Sequence, residues 1–393
     1  LDSEKGPTKI VATCLMGAFL DKPETKKLTA SGKGNGISYG MSSMQGWRVE
    51  MEDAHVAVLE LPGALSTWSF FGVFDGHAGA QVSSHCASNL LKHILDTPVF
   101  KDMVASSEKQ HSIDEIKAAI VEGFLAFDAS LLHDNPSEKS GSTAVVAFIT
   151  PKHIYFANCG DSRGILLRNS SPSFATEDHK PSSPGERRRI NNAGGHVILS
   201  RVNGSLAVSR ALGDFDYKQV KGTPPSDQLV SPEPDVTCLE RMPEADQALC
   251  LACDGIWDVY SNEELCDYVL QRLRCSSSLT HVCNEVLDTS LFKGSKDNMS
   301  ILLVGLNKLP EVDPEVVRQD EELEASIRQL IESTIEGANN SDAPLTSTYI
   351  ANIVQSQGLP NYPPGGFVTK RAFVESICSR HTQVSEWYVQ MSV

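Results

Sequence analysis

Residues 69–79 read Ser-Phe-Phe-Gly-Val-Phe-Asp-Gly-His-Ala-Gly, a run that begins apolar and ends near a carboxylate and an imidazole. Residues 68–74 are apolar and rich in aromatic side chains, which is typical of a buried strand. Asp75 ends the run, and the glycine after it allows a turn in which the backbone can approach a bound group closely. From residue 80 onward apolar residues recur at every fourth position, which predicts an amphipathic helix. Asp75 and His77 are therefore expected at the open end of a buried strand, although an ordinary Asp-Gly turn explains the pair about equally well.

The composition predicts an ordinary globular protein, with 40% apolar and 21% charged residues. The 393 residues suffice for one large domain, or for a large and a small one. The formal net charge of −16 argues against a nucleic-acid backbone or an anionic membrane as the main partner. An acidic balance of this kind fits a carboxylate-rich site that holds cations.

The ten cysteines do not indicate a disulfide scaffold in a chain of this length. Cys250 and Cys253 form a lone C-x-x-C within a strand-like run, where side chains three positions apart point to opposite faces, so a zinc site is not expected. We expect mostly reduced and buried thiols, and therefore an intracellular protein, cytoplasmic or nuclear.

The sequence holds no apolar run long enough to span a membrane, and no secretion signal is expected at its N-terminal end. Membrane association is expected only if the natural chain starts at Met16 and Gly17 is myristoylated. Asp21 stands where such a signal needs Ser or Thr.

The sequence divides into three parts. Residues 1–36 are polar and rich in Lys, Thr and Gly, which predicts an extended or flexible N-terminal extension. Residues 37–307 hold strand-like runs and amphipathic helices, two of which begin at capping boxes, Ser112 with Glu115 and Ser261 with Glu264. Residues 308–393 carry one acidic helical pattern and two shorter ones, which predicts a small all-helical domain.

Residues 178–203, here called the flap, are punctuated by Pro and Gly and are expected to be irregular with one short helix. The run Arg187-Arg188-Arg189 lies within it. Such a run is more often a solvated helix face than a docking patch.

Four aspartates share one position relative to the strands, because each lies at a turn that ends or begins an apolar run: Asp75, Asp161, Asp254 and Asp297. Together with Glu52 and Asp53 they can converge on one rim of a sheet core. Unpaired carboxylates at such a rim would repel one another unless cations neutralise them. No His or Cys shares their spacing, so the ligand set is all oxygen, which favours Mg²⁺ or Mn²⁺ over zinc.

Other phosphate chemistries find no support in the sequence. Cys266 and Arg272 match the C-x5-R spacing of a cysteine phosphatase loop, but they fall inside the helix predicted from Ser261, where no phosphate cradle can form. No Walker loop, G-x-S-x-G turn or H-E-x-x-H motif is present.

At a series of motifs the chain resembles the metal-dependent protein phosphatases of type 2C, most closely their animal alpha/beta branch. The motifs occur in that family's order, and they are Arg48-Val49-Glu50-Met51-Glu52-Asp53, Asp75-Gly76-His77-Ala78-Gly79, Ser140-Gly141-Ser142-Thr143-Ala144, Gly160-Asp161-Ser162-Arg163, Ala211-Leu212-Gly213-Asp214, Asp254-Gly255-Ile256-Trp257-Asp258 and Asp297-Asn298-Met299-Ser300. Residues 185–189, Gly-Glu-Arg-Arg-Arg, depart from the family pattern, so the flap is expected to recognise substrates differently.

The resemblance implies an α+β fold with a central antiparallel β-sandwich flanked by helices in α-β-β-α layers, and with metals at one end of the sandwich. It also implies two Mg²⁺ or Mn²⁺ ions and a weaker third. The ligands implied are Asp75 for both of the first two ions, Asp254 and Asp297 for the first, Glu52 and the Gly76 carbonyl for the second (largely through water), and Asp161 and Asp258 for the third.

The activity implied is hydrolysis of phosphoserine and phosphothreonine in proteins. A water or hydroxide that bridges two ions would attack phosphorus in line, without a covalent phosphoenzyme. Arg48 is expected to grip the phosphate with help from Arg201, and His77 to protonate the leaving alkoxide. A purely bracing role for His77 beside the carboxylates stays open.

We expect a monomer that acts on phosphorylated proteins. A catalytically dead relative that only binds is disfavoured, because every expected carboxylate is present. A two-metal nuclease or phosphodiesterase is disfavoured by the acidic balance and by the lack of a basic groove.

Overall fold

The chain forms sixteen strands and ten α-helices over the residues that the computed structural model describes, 19–106, 110–338 and 345–386. The strands are β1 (Phe19–Gly34), β2 (Ile37–Arg48), β3 (Ala54–Val58), β4 (Ser69–Phe74), β5 (Gly76–His77), β6 (Gly141–Ser142), β7 (Ala144–Ile149), β8 (His153–Cys159), β9 (Arg163–Arg168), β10 (Ser171–Ala175), β11 (Val197–Ile198), β12 (Arg201–Val202), β13 (Leu212–Gly213), β14 (Asp235–Glu240), β15 (Asp246–Ala252) and β16 (Met299–Gly305). The helices are α1 (Gln81–Leu95), α2 (Pro98–Ala105), α3 (Ile113–Asp134), α4 (Pro184–Asn192), α5 (Asp254–Trp257), α6 (Asn262–Cys275), α7 (Leu279–Lys293), α8 (Pro314–Ala338), α9 (Ser347–Ser356) and α10 (Arg371–Cys378).

Two antiparallel sheets build the centre of the fold. The first has the strand order β1-β2-β16-β15-β9-β10, and the second has the order β14-β8-β7-β4-β3. Two small sheets, β13-β6-β5 and β11-β12, lie outside them in the hydrogen-bonding pattern.

The apolar run at residues 69–74 forms β4, and both of its faces are buried. Phe71 and Val73 pack between the two sheets, whereas Phe70 and Phe74 pack against the helices outside. Alternate side chains of a strand point to opposite faces, so a strand covered on both sides reads as continuously apolar.

Helices cover both outer faces of the sandwich. α1, α2 and α3 pack on the five-stranded sheet, and α5, α6 and α7 pack on the six-stranded sheet. The predicted α-β-β-α layering is confirmed. Both predicted capping boxes form, at the N-termini of α3 and α6. Cys250 lies in the core beneath α6 and α7 and Cys253 between the sheets, on opposite faces as predicted.

The N-terminal region differs from the prediction of a flexible extension. Residues 19–34 form β1, an edge strand that pairs with β2 from Gly34 back to Phe19. The polar composition misled the prediction, because an edge strand exposes one face and one side to water and needs few apolar residues. Residues 1–18, with Met16 and Gly17, lie outside the described residues.

The three C-terminal helices share a core of their own, which includes Ile327, Ile331, Val354 and Val374. The domain boundary near residue 308 stays a prediction. None of the helices that the structure describes combines the length and the apolar character that a membrane span needs.

A buried ionic network joins the C-terminal helices to the sandwich. The side chain of Arg272 on α6 is 4% exposed and pairs with Glu285 on α7 at 2.8 Å and with Asp320 on α8 at 2.9 Å. Lys370, equally buried, binds Asp320 and Glu324 at 2.7 Å each. A buried charge that loses its partner is strongly destabilising, so this network fixes α8 against α6 and α7.

Replacing Arg272 should therefore destabilise the whole protein. Arg272→Met keeps an unbranched apolar stem but leaves Glu285 and Asp320 without their shared cation. We expect a loss of roughly 3 kcal/mol of unfolding free energy, measured as a lower thermal midpoint.

Arg318→Met is the matched control, because Arg318 lies on the exposed face of α8 and its ion pairs within the described part of the chain are those with Glu315 and Glu322. Exposed pairs of this kind contribute little. Equal shifts of the midpoint in the two variants would contradict the role of the buried network.

Candidate metal centre

One end of the sandwich carries a cleft of about 280 Å³ at which several strand ends meet. β4 and β15 end next to Asp75 and Asp254, and β16 begins shortly after Asp297. Nine of the ten site residues predicted from the sequence line the cleft, namely Arg48, Glu52, Asp75, Gly76, His77, Asp161, Arg201, Asp254 and Asp297. The tenth, Asp258, follows α5 one turn after Asp254 and lies outside the lining.

Backbone contacts fix Asp75 in the cleft. Its amide N–H donates to Thr143 Oγ1 at 3.2 Å, and its carbonyl accepts from the Thr143 amide at 2.9 Å. The next residue, Gly76, packs so closely that a Cβ there would lie 2.3 Å from the carbonyl oxygen of Glu52. Only glycine fits at this position, so the Asp-Gly pair brings β4 and the Glu52 turn together.

Asn298 holds the turn that carries Glu52. Its Oδ1 accepts the Glu52 amide at 2.9 Å, and its Nδ2 donates to the carbonyls of Gln45 and Glu50 at 2.9 and 3.0 Å. Glu52 Oε1 accepts the amide of Gly79 at 2.5 Å. Because Asn298 is the chain neighbour of Asp297, these bonds also fix the spacing of two carboxylates.

The carboxylates of the cleft are crowded. Burial raises the pKa of Asp75 and of Asp254 well above the ordinary value, and neighbouring carboxylates raise both further. Burial also raises the pKa of Asp53 to about 7. One carboxylate oxygen of Asp53 and one of Asp254 are buried without a hydrogen-bond partner among the described residues. Buried oxygens without partners are costly, and an oxygen-only donor set suits a hard divalent cation, so these residues fit a metal centre.

Two cationic side chains contact the acidic group. Arg48 Nη2 lies 2.5 Å from Asp297 Oδ2, and Lys180 Nζ lies 2.6 Å from Asp161 Oδ2. The Asp161 side chain is 5% exposed and that of Lys180 is 38% exposed, so the lysine covers the carboxylate from the solvent side.

Cys253 lies close to the acids but does not offer a thiolate. Ligand atoms of Asp53, Asp75 and Cys253 lie within 4.8 Å of one another. Burial raises the pKa of the Cys253 thiol well above its ordinary value, and nearby carboxylates add to this effect. Its Sγ also contacts the Asn298 carbonyl at 3.5 Å and the Ser300 amide at 3.1 Å. A protonated thiol is a poor metal ligand, so Cys253 gives no reason to change the predicted oxygen-only ligand set.

His77 forms an ion pair with Asp214, since its Nε2 lies 2.7 Å from Asp214 Oδ2. Burial opposes protonation, but the Asp214 carboxylate together with Asp161 and Glu52 outweighs burial and raises the pKa of the imidazole, which favours its protonated form. Gly141 makes room for the pair, because a Cβ there would lie 2.4 Å from His77 Nε2 and 2.2 Å from Asp214 Oδ2. The glycine in the Ser140-Gly141-Ser142 motif is therefore required because any larger side chain would clash with this pair.

Sequence reasoning gave no role to three residues that the structure places at the site: Lys180, Asp214 and Asn298. A sequence signal for Asp214 was present, because this acid follows a glycine that ends a short apolar run, and Asp161 was predicted from the same pattern. Asn298 contacts residues that lie more than a hundred positions earlier in the chain, and Lys180 contacts Asp161 across a loop. No local sequence pattern reports such contacts.

Comparison with known proteins identifies the family. The model "Protein phosphatase 2C" matches residues 37–299, and the model "Protein serine/threonine phosphatase 2C, C-terminal domain" matches residues 300–379. The chain belongs to the protein phosphatase 2C family and is a metal-dependent protein serine/threonine phosphatase by class. The resemblance found in the motifs is confirmed.

Individual relatives agree with the predicted branch. The chain is 51% identical to protein phosphatase 1A of Bos taurus, over 93% of this chain and 95% of that protein. It is 51% identical to protein phosphatase 1B of Homo sapiens, over 93% of this chain and 77% of that protein. A solved phosphatase from Toxoplasma gondii has a TM-score of 0.61 and 26% identity, and the match covers 73% of this chain and 97% of that one.

Proposed function

We propose that this protein releases phosphate from phosphoserine and phosphothreonine in one step of in-line hydrolysis, with two Mg²⁺ or Mn²⁺ ions and no covalent phosphoenzyme. The observation that carries the proposal is a single cleft in which buried, mutually repelling carboxylates lie beside Arg48 and His77. Carboxylates in this state need cations, and the basic groups beside them suit a phosphate ester.

The residues proposed to hold the ions are Asp75 for both, Asp254 and Asp297 for one, and Glu52 with the Gly76 carbonyl for the other. When bound, the two ions would activate a water for in-line attack and offset the charge of the phosphate. Every one of these residues lines the cleft.

Arg48 is proposed to bind the phosphate oxygens. In the structure its Nη2 pairs with Asp297, and its Nε is buried without a hydrogen-bond partner among the described residues. A phosphate would offer Nε and a second nitrogen the two acceptors of a bidentate contact. Arg201 would add a second guanidinium from the flap, where its Nη1 donates to the Ser205 carbonyl at 2.7 Å.

His77 is proposed to give a proton to the leaving serine or threonine oxygen. An alkoxide is strongly basic and leaves readily only when it is protonated. The Asp214 carboxylate holds the imidazole at the cleft and favours the protonated ring.

A weaker third cation is proposed at Asp161 and Asp258. Lys180 already neutralises Asp161, so a cation there must displace an ammonium group. Asp258 stands outside the cleft lining, which is a second reason for weak binding.

No cysteine supports a covalent alternative of the C-x5-R type. Cys266 lies within α6, and burial raises the pKa of its thiol to about 12. Arg272, the other half of that spacing, is bound to Glu285 and Asp320.

The proposal predicts that phosphate release from a phosphothreonine peptide depends on a divalent cation and on Asp75. A chelator should abolish release and Mn²⁺ or Mg²⁺ should restore it, whereas Asp75→Asn should lower kcat/KM by about 100-fold or more at saturating metal. Asp96→Asn is the control, because this acid lies at the exposed end of α1. Full activity in excess chelator would refute the metal mechanism.

The role of His77 predicts a dependence on the leaving group. His77→Gln should slow hydrolysis of the phosphothreonine peptide by about 10²- to 10⁴-fold, because the alkoxide needs a proton. Hydrolysis of nitrophenyl phosphate should change far less, since nitrophenolate leaves without one. Asp214→Asn should slow the peptide reaction selectively in the same way, but more weakly.

The measurement is kcat/KM for both substrates, together with the affinity for Mn²⁺. Equal losses on the two substrates, accompanied by weaker metal binding, would assign His77 a bracing role instead.

A further inference from the structure

The flap ends in a two-stranded hairpin, β11 and β12, beside the cleft. Val197 pairs with Val202 and Ile198 with Arg201, so residues 199 and 200 form a two-residue turn. The amide of Asn203 donates to the His196 carbonyl at 2.7 Å and that of Val202 to the Leu206 carbonyl at 2.8 Å, which anchors the base of the hairpin.

The two faces of the hairpin have different surroundings. Val202 is fully buried in a small core with Ile190 and Val208, and Val197 packs against the same core. Side chains of the other cross-strand pair, Ile198 and Arg201, point to the opposite face. Arg201 lines the catalytic cleft, so Ile198 lies next to a cleft residue on that face.

The tip of the hairpin exposes apolar side chains to water. Leu199 is 91% exposed and Ile198 is 52% exposed, and Leu199 is the most exposed large apolar side chain among the described residues. Leu199 and Ser200 also have left-handed backbone angles, with φ of 49° and 59°. Turns of this type favour Asn and Gly, so the leucine adds conformational cost as well as exposed apolar area.

We propose that Ile198 and Leu199 form an apolar subsite that binds a hydrophobic side chain of the protein substrate close to the phosphorylated residue. The inference rests on the proposed function, because it takes the phosphate to lie between Arg48 and Arg201. A substrate chain that leaves the phosphate on the flap side passes Arg201 and meets Ile198 and then Leu199. Contact with an apolar side chain there would remove both partners from water.

The geometry favours an apolar partner over a charged one. Neither residue 198 nor residue 199 offers a polar side chain, and the proposed function assigns the guanidinium of Arg201 to the phosphate rather than to a neighbouring side chain. The subsite therefore favours substrates with an apolar side chain near the phosphorylated residue. It takes no part in the hydrolysis of the phosphate ester.

The test uses phosphothreonine peptides that differ by Leu or Ser at one flanking position, scanned through the positions on both sides. The wild-type protein should show about a tenfold higher kcat/KM for Leu than for Ser on one side of the phosphothreonine, as a buried apolar group is expected to give. Leu199→Asn should reduce that ratio to near one, and Leu199→Met should retain most of it. Asn is compatible with the left-handed angles at this position, so the variant should fold.

Met242→Asn is the matched control, because Met242 is 48% exposed in the turn between β14 and β15, at the end of β15 away from Asp254. It should keep the wild-type ratio. Two results would overturn the subsite, provided that the protein still hydrolyses nitrophenyl phosphate. The first is a wild-type protein without a preference for Leu, and the second is a Leu199→Asn variant that keeps this preference. A wild-type protein that hydrolyses neither nitrophenyl phosphate nor any peptide would overturn the proposed function itself, and the subsite with it.

Discussion

Repulsion among buried carboxylates is the constraint on which the active end of this protein depends. Asp75 and Asp254 are held in the same cleft, where burial and mutual charge raise the pKa of both side chains. A buried charge without a partner favours unfolding, so the packing of the core has to offset this destabilisation. The two sheets and their helical layers supply the burial that fixes the acids at one end.

The chain divides the neutralisation of these acids between its own cations and bound ones. Arg48 and Lys180 each engage one carboxylate from the edge of the group, Asp297 and Asp161. The acids at the centre have no such ion pair among the described residues, which is where we propose the divalent cations. In the proposed function Arg48 exchanges Asp297 for a phosphate, and Arg201 lies in the lining of the same cleft.

Much of the fold followed from local patterns. The period change after Asp75, the capping boxes at Ser112 and Ser261 and the buried strand before Asp254 all report structure within a few residues. Local patterns did not predict α2 or the β9–β10 hairpin, because α2 spans only eight residues and the Asn-Ser-Ser-Pro-Ser run at residues 169–173 indicates a loop where β10 begins. The prediction of a flexible segment was wrong for β1, since a polar edge strand resembles a loop in composition.

Strand patterns alone predicted the candidate site only where an acid stood beside a strand end, and the remaining predicted residues of the cleft came from the family resemblance. Asp75, Asp161, Asp254 and Asp297 carried that signal, and the structure brings them to one cleft. Lys180 and Asn298 gave none, because their importance lies in contacts formed by the fold.

The most direct test of the account is the thermal midpoint of the metal-free protein. Burial and neighbouring carboxylates raise the pKa of Asp254 in the folded protein, so the protein loses stability as pH rises from the unfolded toward the folded pKa of this side chain, and Asp254 opposes folding above its unfolded pKa. Asp254→Asn should therefore raise the metal-free midpoint, and Mn²⁺ should raise the midpoint of the wild type far more than that of the variant. A lower metal-free midpoint for Asp254→Asn, with equal stabilisation of both proteins by Mn²⁺, would contradict the account.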